Sequence, residues 1–419
     1  MQQYTLSGSR IHHFLFFLLL GGLALLSSCR EDEDTGAAPV IERVRFTDPA
    51  TADSSFTKAT LGSTLAIVGK NLASAQYVLL NNYKIAVNPV FATDNHLIVP
   101  VLDSVPTVAQ DPNVPNELTV VNRYGQATYK FQVLPPAPVV EQVGNQFVKA
   151  GETVTLFGKY FFFVEEVTFP GGVTVTDFTT NANGTALTVK VPEGFDPTKG
   201  DVIVTTQSGS SMPGRTSRFY AGEGIVSNFD DIFPWGWGLD KDKNVTTVTP
   251  GGVIQPLDNK FALINMSLPE NYGWSNDKVI NLVDWGGNQT YPTTPADKYN
   301  PEAPIANFDA RMEVAVVTQS SLAGVQLQVF YQNKDNVEMT ANVDLKNFIR
   351  STDGKWYTVS VPLSSLANGN VKLAKYGDIL TGNKDSQHHF RVVIVNTTPA
   401  AVPAIIAIDN VRVVNAVMQ

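Results

Sequence analysis

The sequence predicts an all-β protein built from several small sandwiches, and three observations carry that expectation. Val, Thr, Phe and Tyr abound through the 419 residues, and 25 prolines and 31 glycines are available to close turns. No long stretch repeats its apolar residues at the helical period. With 43% hydrophobic and 16% charged residues the composition is globular, and the length exceeds one ordinary domain.

Residues 1–28 stand apart from the fold. Arg10 gives a positive start, Phe14 to Leu26 is an apolar run of thirteen residues, and small residues follow it. Such a run is too short for a comfortable membrane span and reads as an export signal. Its end, "LLSSC", places Cys29, the only cysteine, directly behind Leu26, Ser27 and Ser28. The arrangement resembles a bacterial lipobox, which implies cleavage before Cys29 and acylation of its thiol and new amino terminus. A lipidated Cys29 leaves no thiol for a disulfide within the chain, so the domains must stand on their cores.

Residues 29–37 continue as an acidic linker with Glu31, Asp32, Glu33 and Asp34. The cluster resembles the tag that carries lipoproteins of polysaccharide-degrading Gram-negative bacteria to the outer face of the outer membrane; a plain solvated linker is the other reading. Removing residues 1–28 takes away Arg10 and no acid, which moves the net charge from -9 to -10. An acidic chain without basic clusters repels phosphate, which argues against nucleic acid and anionic lipid as partners.

Two copies of one module follow, expected at 38–135 and 136–221. "APVIERV" (38–44) recurs as "APVVEQV" (137–143), "STLAIVGKNL" (63–72) as "ETVTLFGKYF" (152–161), and "HLIVPV" and "ALTVKVP" come at matching distances. Leu65 and Ile67, like Val154 and Leu156, alternate as half-buried strands do. Gly69 and Gly158 are expected where a strand turns, and each copy is a small sandwich. The pattern of proline, strand and glycine resembles the immunoglobulin-like TIG (or IPT) domain over nearly the whole of each copy. An inserted "SVPTVAQDPNVP" departs from it in the first. Neither copy shows a ligand surface, so both read as spacers, and "FGKYFFF" (157–163) as core and interdomain packing.

The segment 222–419 differs, for it holds all five tryptophans. Strands are expected at 308–317, 324–333, 355–366, 389–396 and 404–414. "GKWYTVSVPLSSL" and "IAIDNVRVV" resemble two framework strands of jelly-roll carbohydrate-binding domains, so the fold expected here is a jelly-roll-like sandwich.

"DIFPWGWGLD" puts Trp235 and Trp237 two positions apart among turn residues. In extended chain such residues point the same way, roughly 6.5 to 7 Å apart. An indole face suits the C–H face of a pyranose ring while the hydroxyls hydrogen-bond at its edge. Trp274 in "ENYGWSND" and Trp285 in "LVDWGGNQTY" share this loop character, with Asn, Asp and Gln nearby. Tyr291 is a further candidate, with Tyr272, Tyr299 and Tyr331 behind it. Plugging the end of the sandwich is the competing use for each tryptophan, and Trp356, alternating with Thr358 in a framework strand, reads as core.

Catalytic motifs are missing: there is no G-x-S-x-G, H-E-x-x-H or phosphate loop. No cofactor is expected. Past residue 28 the histidines are His96, His388 and His389, and the adjacent pair points to opposite faces of a strand. Two carboxylates suffice for a glycosidase, yet nothing singles out a pair. "DKDKN" spaces Asp240, Asp242 and Asn244 like the start of a calcium loop, but Val245 stands where that loop needs glycine. Jelly-roll domains of this kind can hold a calcium ion between first and last strands, which marks Asp230 and Asp409 as a second pair; neither is taken as a metal site.

Lipobox, acidic tag, tandem TIG domains and a Trp-rich terminal sandwich together resemble the surface glycan-binding proteins of starch-utilisation-like systems, and the terminal domain resembles their xyloglucan-binding domain. What the resemblance implies is a non-catalytic lipoprotein that captures polysaccharide, a β-glucan or a hemicellulose such as xyloglucan, beside an outer-membrane transporter. The residues leave two alternatives open: an adhesin or assembly scaffold, and a glycan-active enzyme.

Overall fold

The computed structural model describes residues 36–232, 238–273, 279–281, 299–333, 335, 337–380 and 390–417. The chain divides into two compact units, Met1–Leu134 and Pro135–Gln419.

In the first unit a three-stranded sheet of Val40–Phe46, Thr64–Lys70 and His96–Pro100 faces a four-stranded sheet of Tyr83–Ala86, Tyr77–Leu80, Glu117–Asn122 and Gly125–Lys130. Alternate residues fill the space between them: Leu65, Ile67, Val78, Leu80, Leu97, Val99, Leu118 and Val120 are all fully buried. Gly69 is not at a turn. It pairs with Ile41 just before a register shift, and a Cβ there would lie 1.8 Å from the Val40 carbonyl oxygen. The glycine is required by this close approach at a bulge.

The second unit begins with the same architecture. Val139–Val143, Thr153–Lys159, Ala186–Lys190 and Phe178–Thr180 form one sheet, and Val173–Val175, Val164–Phe169, Ile203–Thr206 and Gly209–Ser210 the other. Leu156, Val167, Leu187, Val202 and Val204 make its core. Gly158 repeats the bulge, with a Cβ 1.9 Å from the Val139 carbonyl oxygen. The "FGKYFFF" run splits between roles: Phe161 is buried in this core, Phe157 packs against the terminal sandwich, and Tyr160 and Phe163, both at positive φ, are exposed.

The terminal sandwich has two sheets. The first runs Val245–Thr246, Phe261–Leu268, Val402–Asn415, Phe308–Val317, Asp353–Pro362, with Ile225–Ser227 also paired to Val402–Asn415. The second runs Val279–Asn281, Phe390–Asn396, Val325–Gln332, Glu338–Asp344, Ala367–Asn368, Val371–Lys372. All pairings are antiparallel, and each long strand falls within a few residues of its expected place. Val314, Val316, Val359 and Ile406 from the first sheet meet Leu327, Val329, Val392 and Ile394 from the second in one continuous core. The fold is therefore all-β, a chain of sandwiches ending in a jelly-roll-like one.

Candidate functional site

Trp235, Trp237, Trp274, Trp285 and Tyr291 lie outside the described residues, as do Cys29, His388 and His389. Gly238 and Val279–Asn281, which adjoin the tryptophan segments, lie at one edge of the second sheet. Gly238 bridges Ile280. Around it, Val279–Asn281 pairs with Phe390–Asn396 through Val279↔Val393 and Asn281↔Arg391. That strand in turn pairs with Val325–Gln332, where Arg391 sits opposite Phe330.

"VQLQVFYQ" shows how this sheet presents polar groups outward. Val325, Leu327, Val329 and Tyr331 enter the core, so Gln326, Gln328, Phe330 and Gln332 occupy the opposite face. Thr340 and Asn342 continue that face on the next strand, and Arg391 on the previous one. The Arg391 guanidinium lies 4.4 Å from the Phe330 ring centroid. Burial pulls its pKa down to about 10, against the opposing pull of Glu338. Val393 and Val395, on the same outer face, are buried apart from the main core. The face thus offers a row of amides, each able to donate and to accept. Sequence reasoning passed over this row, although glutamines at every second position of a strand are the signal for it.

Two secondary candidates are core residues. Tyr331 is 2% exposed and its hydroxyl donates to the carbonyls of Asp378 and Ile379 at 2.9 and 3.2 Å. Tyr299 is 7% exposed, edge-on to Phe308 and Tyr376. Trp356 is not in the core between the sheets, which takes its neighbour Tyr357. It is half-buried on the outer face of the first sheet, against a smaller cluster with Phe261 and Leu263.

That outer face carries charge toward the second repeat. In "FDARMEVAVV" the alternate residues Asp309, Arg311 and Glu313 are each 3% exposed or less. Arg412 binds both Glu313 oxygens at 2.5 and 3.0 Å and donates to Gln146 Oε1 at 2.9 Å. Arg311 binds Asp309 Oδ2 at 2.9 Å, and Arg215 of the repeat donates to Asp309 Oδ1 at 2.7 Å. Thr358 joins the two parts as well, its N–H donating to the Gly144 carbonyl and its hydroxyl accepting from the Gln146 N–H. These buried charges are paired and hydrogen-bonded, as burial demands, and they hold the repeat to the sandwich.

Asp240 caps the short helix Lys241–Asn244 through the Asp242 N–H and pairs with Lys243 at 2.9 Å, so it serves a turn. Among the described residues no group of three or more His, Cys, Asp or Glu is arranged to hold a metal ion. Asp409 is fully buried; burial first, and then the nearby Asp258, push its pKa up to about 9.

Residues 219–415 match the family model described as the surface glycan-binding protein B xyloglucan binding domain. An IPT/TIG domain-containing protein of Bacteroides ovatus is 24% identical, the match covering 96% of this chain and 97% of that protein. The crystal structure of the surface glycan-binding protein PbSGBP-B from Prevotella bryantii superposes with a TM-score of 0.60 at 22% identity, covering 90% of this chain and 98% of that one. The all-β architecture just described is shared with that structure along nearly its whole length. Residues 219–415 are thus similar to the xyloglucan binding domain of surface glycan-binding protein B.

Proposed function

We propose that this protein captures a neutral polysaccharide at the cell surface without cleaving it, with xyloglucan the first ligand to test. The observation that carries the reading is the family match of residues 219–415. The amide row of the second sheet supports it, because neutral hydroxyls are bound by groups that both donate and accept. Trp235, Trp237, Trp274, Trp285 and Tyr291 are the stacking platforms of this proposal. Residues 38–135 and 136–221 act as a stalk, Cys29 carries the lipid anchor in the outer membrane, and the captured chain passes to an outer-membrane transporter. The test is affinity electrophoresis through gels containing xyloglucan, mixed-linkage β-glucan or starch, alongside an assay for reducing ends. Retardation by a β-glucan without new reducing ends is expected. Migration unaffected by every polysaccharide would overturn the reading, and release of reducing sugar would replace it with an enzyme.

A further inference from the structure

A cleft of about 500 Å³ opens between the second repeat and the terminal sandwich. Phe157 lines it from the strand Thr153–Lys159, and Trp356 and Tyr357 line it from Asp353–Pro362. The two walls are pinned by the hydrogen bond from the Thr358 N–H to the Gly144 carbonyl, 2.7 Å. Trp356 is fixed from behind. Its ring meets Phe261 edge-on at 5.7 Å, and its indole N–H donates to the Gln255 carbonyl at 2.6 Å. A half-buried indole held this firmly is a preorganised surface, with little side-chain entropy left to lose on contact.

The polar lining is neutral overall. Asp353 and Lys355 pair with each other at 2.9 Å. Asn145 uses its Oδ1 to accept from the Phe147 N–H, and Gln255 uses its Nε2 to donate to the Gly252 carbonyl. The Asn145 Nδ2 and Gln255 Oε1 are left without partners among the described residues. Aromatic faces beside unclaimed amide donors and acceptors suit an uncharged sugar ring, and the volume falls within the roughly 300–1,000 Å³ of small-ligand sites.

We infer that this cleft is a second sugar-contact site, taking a neutral pyranose segment with Trp356 as its platform. The inference rests on the glycan-capture reading above. It lies on the outer face of the first sheet, whereas the amide row lies on the outer face of the second, so one short oligosaccharide cannot fill both. A long polysaccharide can, and gains avidity from doing so.

The experiment is ¹⁹F NMR of the chain lacking residues 1–29, labelled with 5-fluorotryptophan, during addition of a xylogluco-oligosaccharide. The Trp356 resonance is the one lost in Trp356→Phe. It is expected to shift on titration, and Thr155→Arg, which fills the cleft from the opposite wall, is expected to abolish that shift while other tryptophan resonances still move. On xyloglucan gels the Thr155→Arg variant should bind about threefold more weakly or worse, since one of two linked contacts is gone. If the other resonances move and Trp356 does not, or if its shift survives Thr155→Arg, the cleft is no sugar site while glycan capture stands. If no resonance moves with xyloglucan or mixed-linkage β-glucan oligosaccharides, capture itself fails and this inference with it.

Discussion

Asp409 occupies a fully buried position in Val402–Asn415, where its Oδ1 accepts from the Asn410 N–H at 2.7 Å and its Oδ2 has no partner among the described residues. Its folded pKa of about 9 stands above the unfolded value of about 3.9, so between those values the folded state holds a proton that the unfolded state has lost. Stability from this group is therefore complete below about pH 4 and falls as pH rises toward 9. A pKa difference of one is worth about 1.4 kcal/mol, and Asp409→Asn is expected to gain at least that much at pH 8 and little at pH 4. Melting curves at both pH values check this; equal effects at both would contradict it. The tryptophans proposed as platforms make the second residue-scale case. Trp237→Ala, Trp274→Ala and Trp285→Ala are each expected to weaken xyloglucan binding about tenfold or more, equal to about 1.4 kcal/mol, with the melting temperature kept. Near-native affinity in all three would end their assignment as platforms. At this scale the sequence was half readable. Alternation put Trp356 and Thr358 on one face, but which face is the core depends on the partner sheet, and it was Tyr357 that turned inward.

Elements were more legible than the contacts between them. Both repeats and all five long terminal strands were visible because apolar alternation is a local property. The bulges at Gly69 and Gly158 were not, since a carbonyl 1.8 or 1.9 Å from a would-be Cβ belongs to a strand some thirty residues earlier in one case and about twenty in the other. Gly158→Ala is expected to destabilise the second unit by roughly 1–3 kcal/mol, the range for forcing extra atoms into a packed site. Thermal melting of residues 135–419 measures it, and an unchanged midpoint would refute the close approach. The junction between repeat and terminal sandwich was equally hidden. Glu313, Arg412 and Gln146 are far apart in sequence, and their meeting follows from topology. One clue stood in plain view, for Asp309, Arg311 and Glu313 alternate through an otherwise apolar strand, and a charged stripe there calls for partners. Breaking a buried pair by removing one member costs about 3–5 kcal/mol, so Glu313→Ala should lower stability by that much. Glu313→Leu with Arg412→Met should recover part of the loss; denaturant titration of the single and double variants decides it.

Across the whole molecule, Pro135–Gln419 is one compact unit, so the terminal sandwich is expected to depend on the second repeat. Residues 135–419 should melt in one cooperative transition, and residues 222–419 at a lower temperature, because the latter exposes Arg311 and Arg412 without Gln146. The proposed anchor at Cys29 belongs to this scale as well. Cys29→Ala should release the protein from the membrane fraction or block its maturation, and protease added to intact cells should reach the unaltered protein; protection in intact cells would count against surface display. Glycan identity was the least legible feature, because stacking reads a ring face and not a linkage, and a polar row such as that of Gln326 and Gln328 forms only in the folded sheet. The most direct measurement of the central claim is calorimetric titration of residues 135–419 with xyloglucan. Two or three platforms plus hydroxyl contacts predict a binding free energy of about 5–7 kcal/mol, which is micromolar to sub-millimolar affinity. Heat no greater than dilution with xyloglucan and with mixed-linkage β-glucan alike would contradict it.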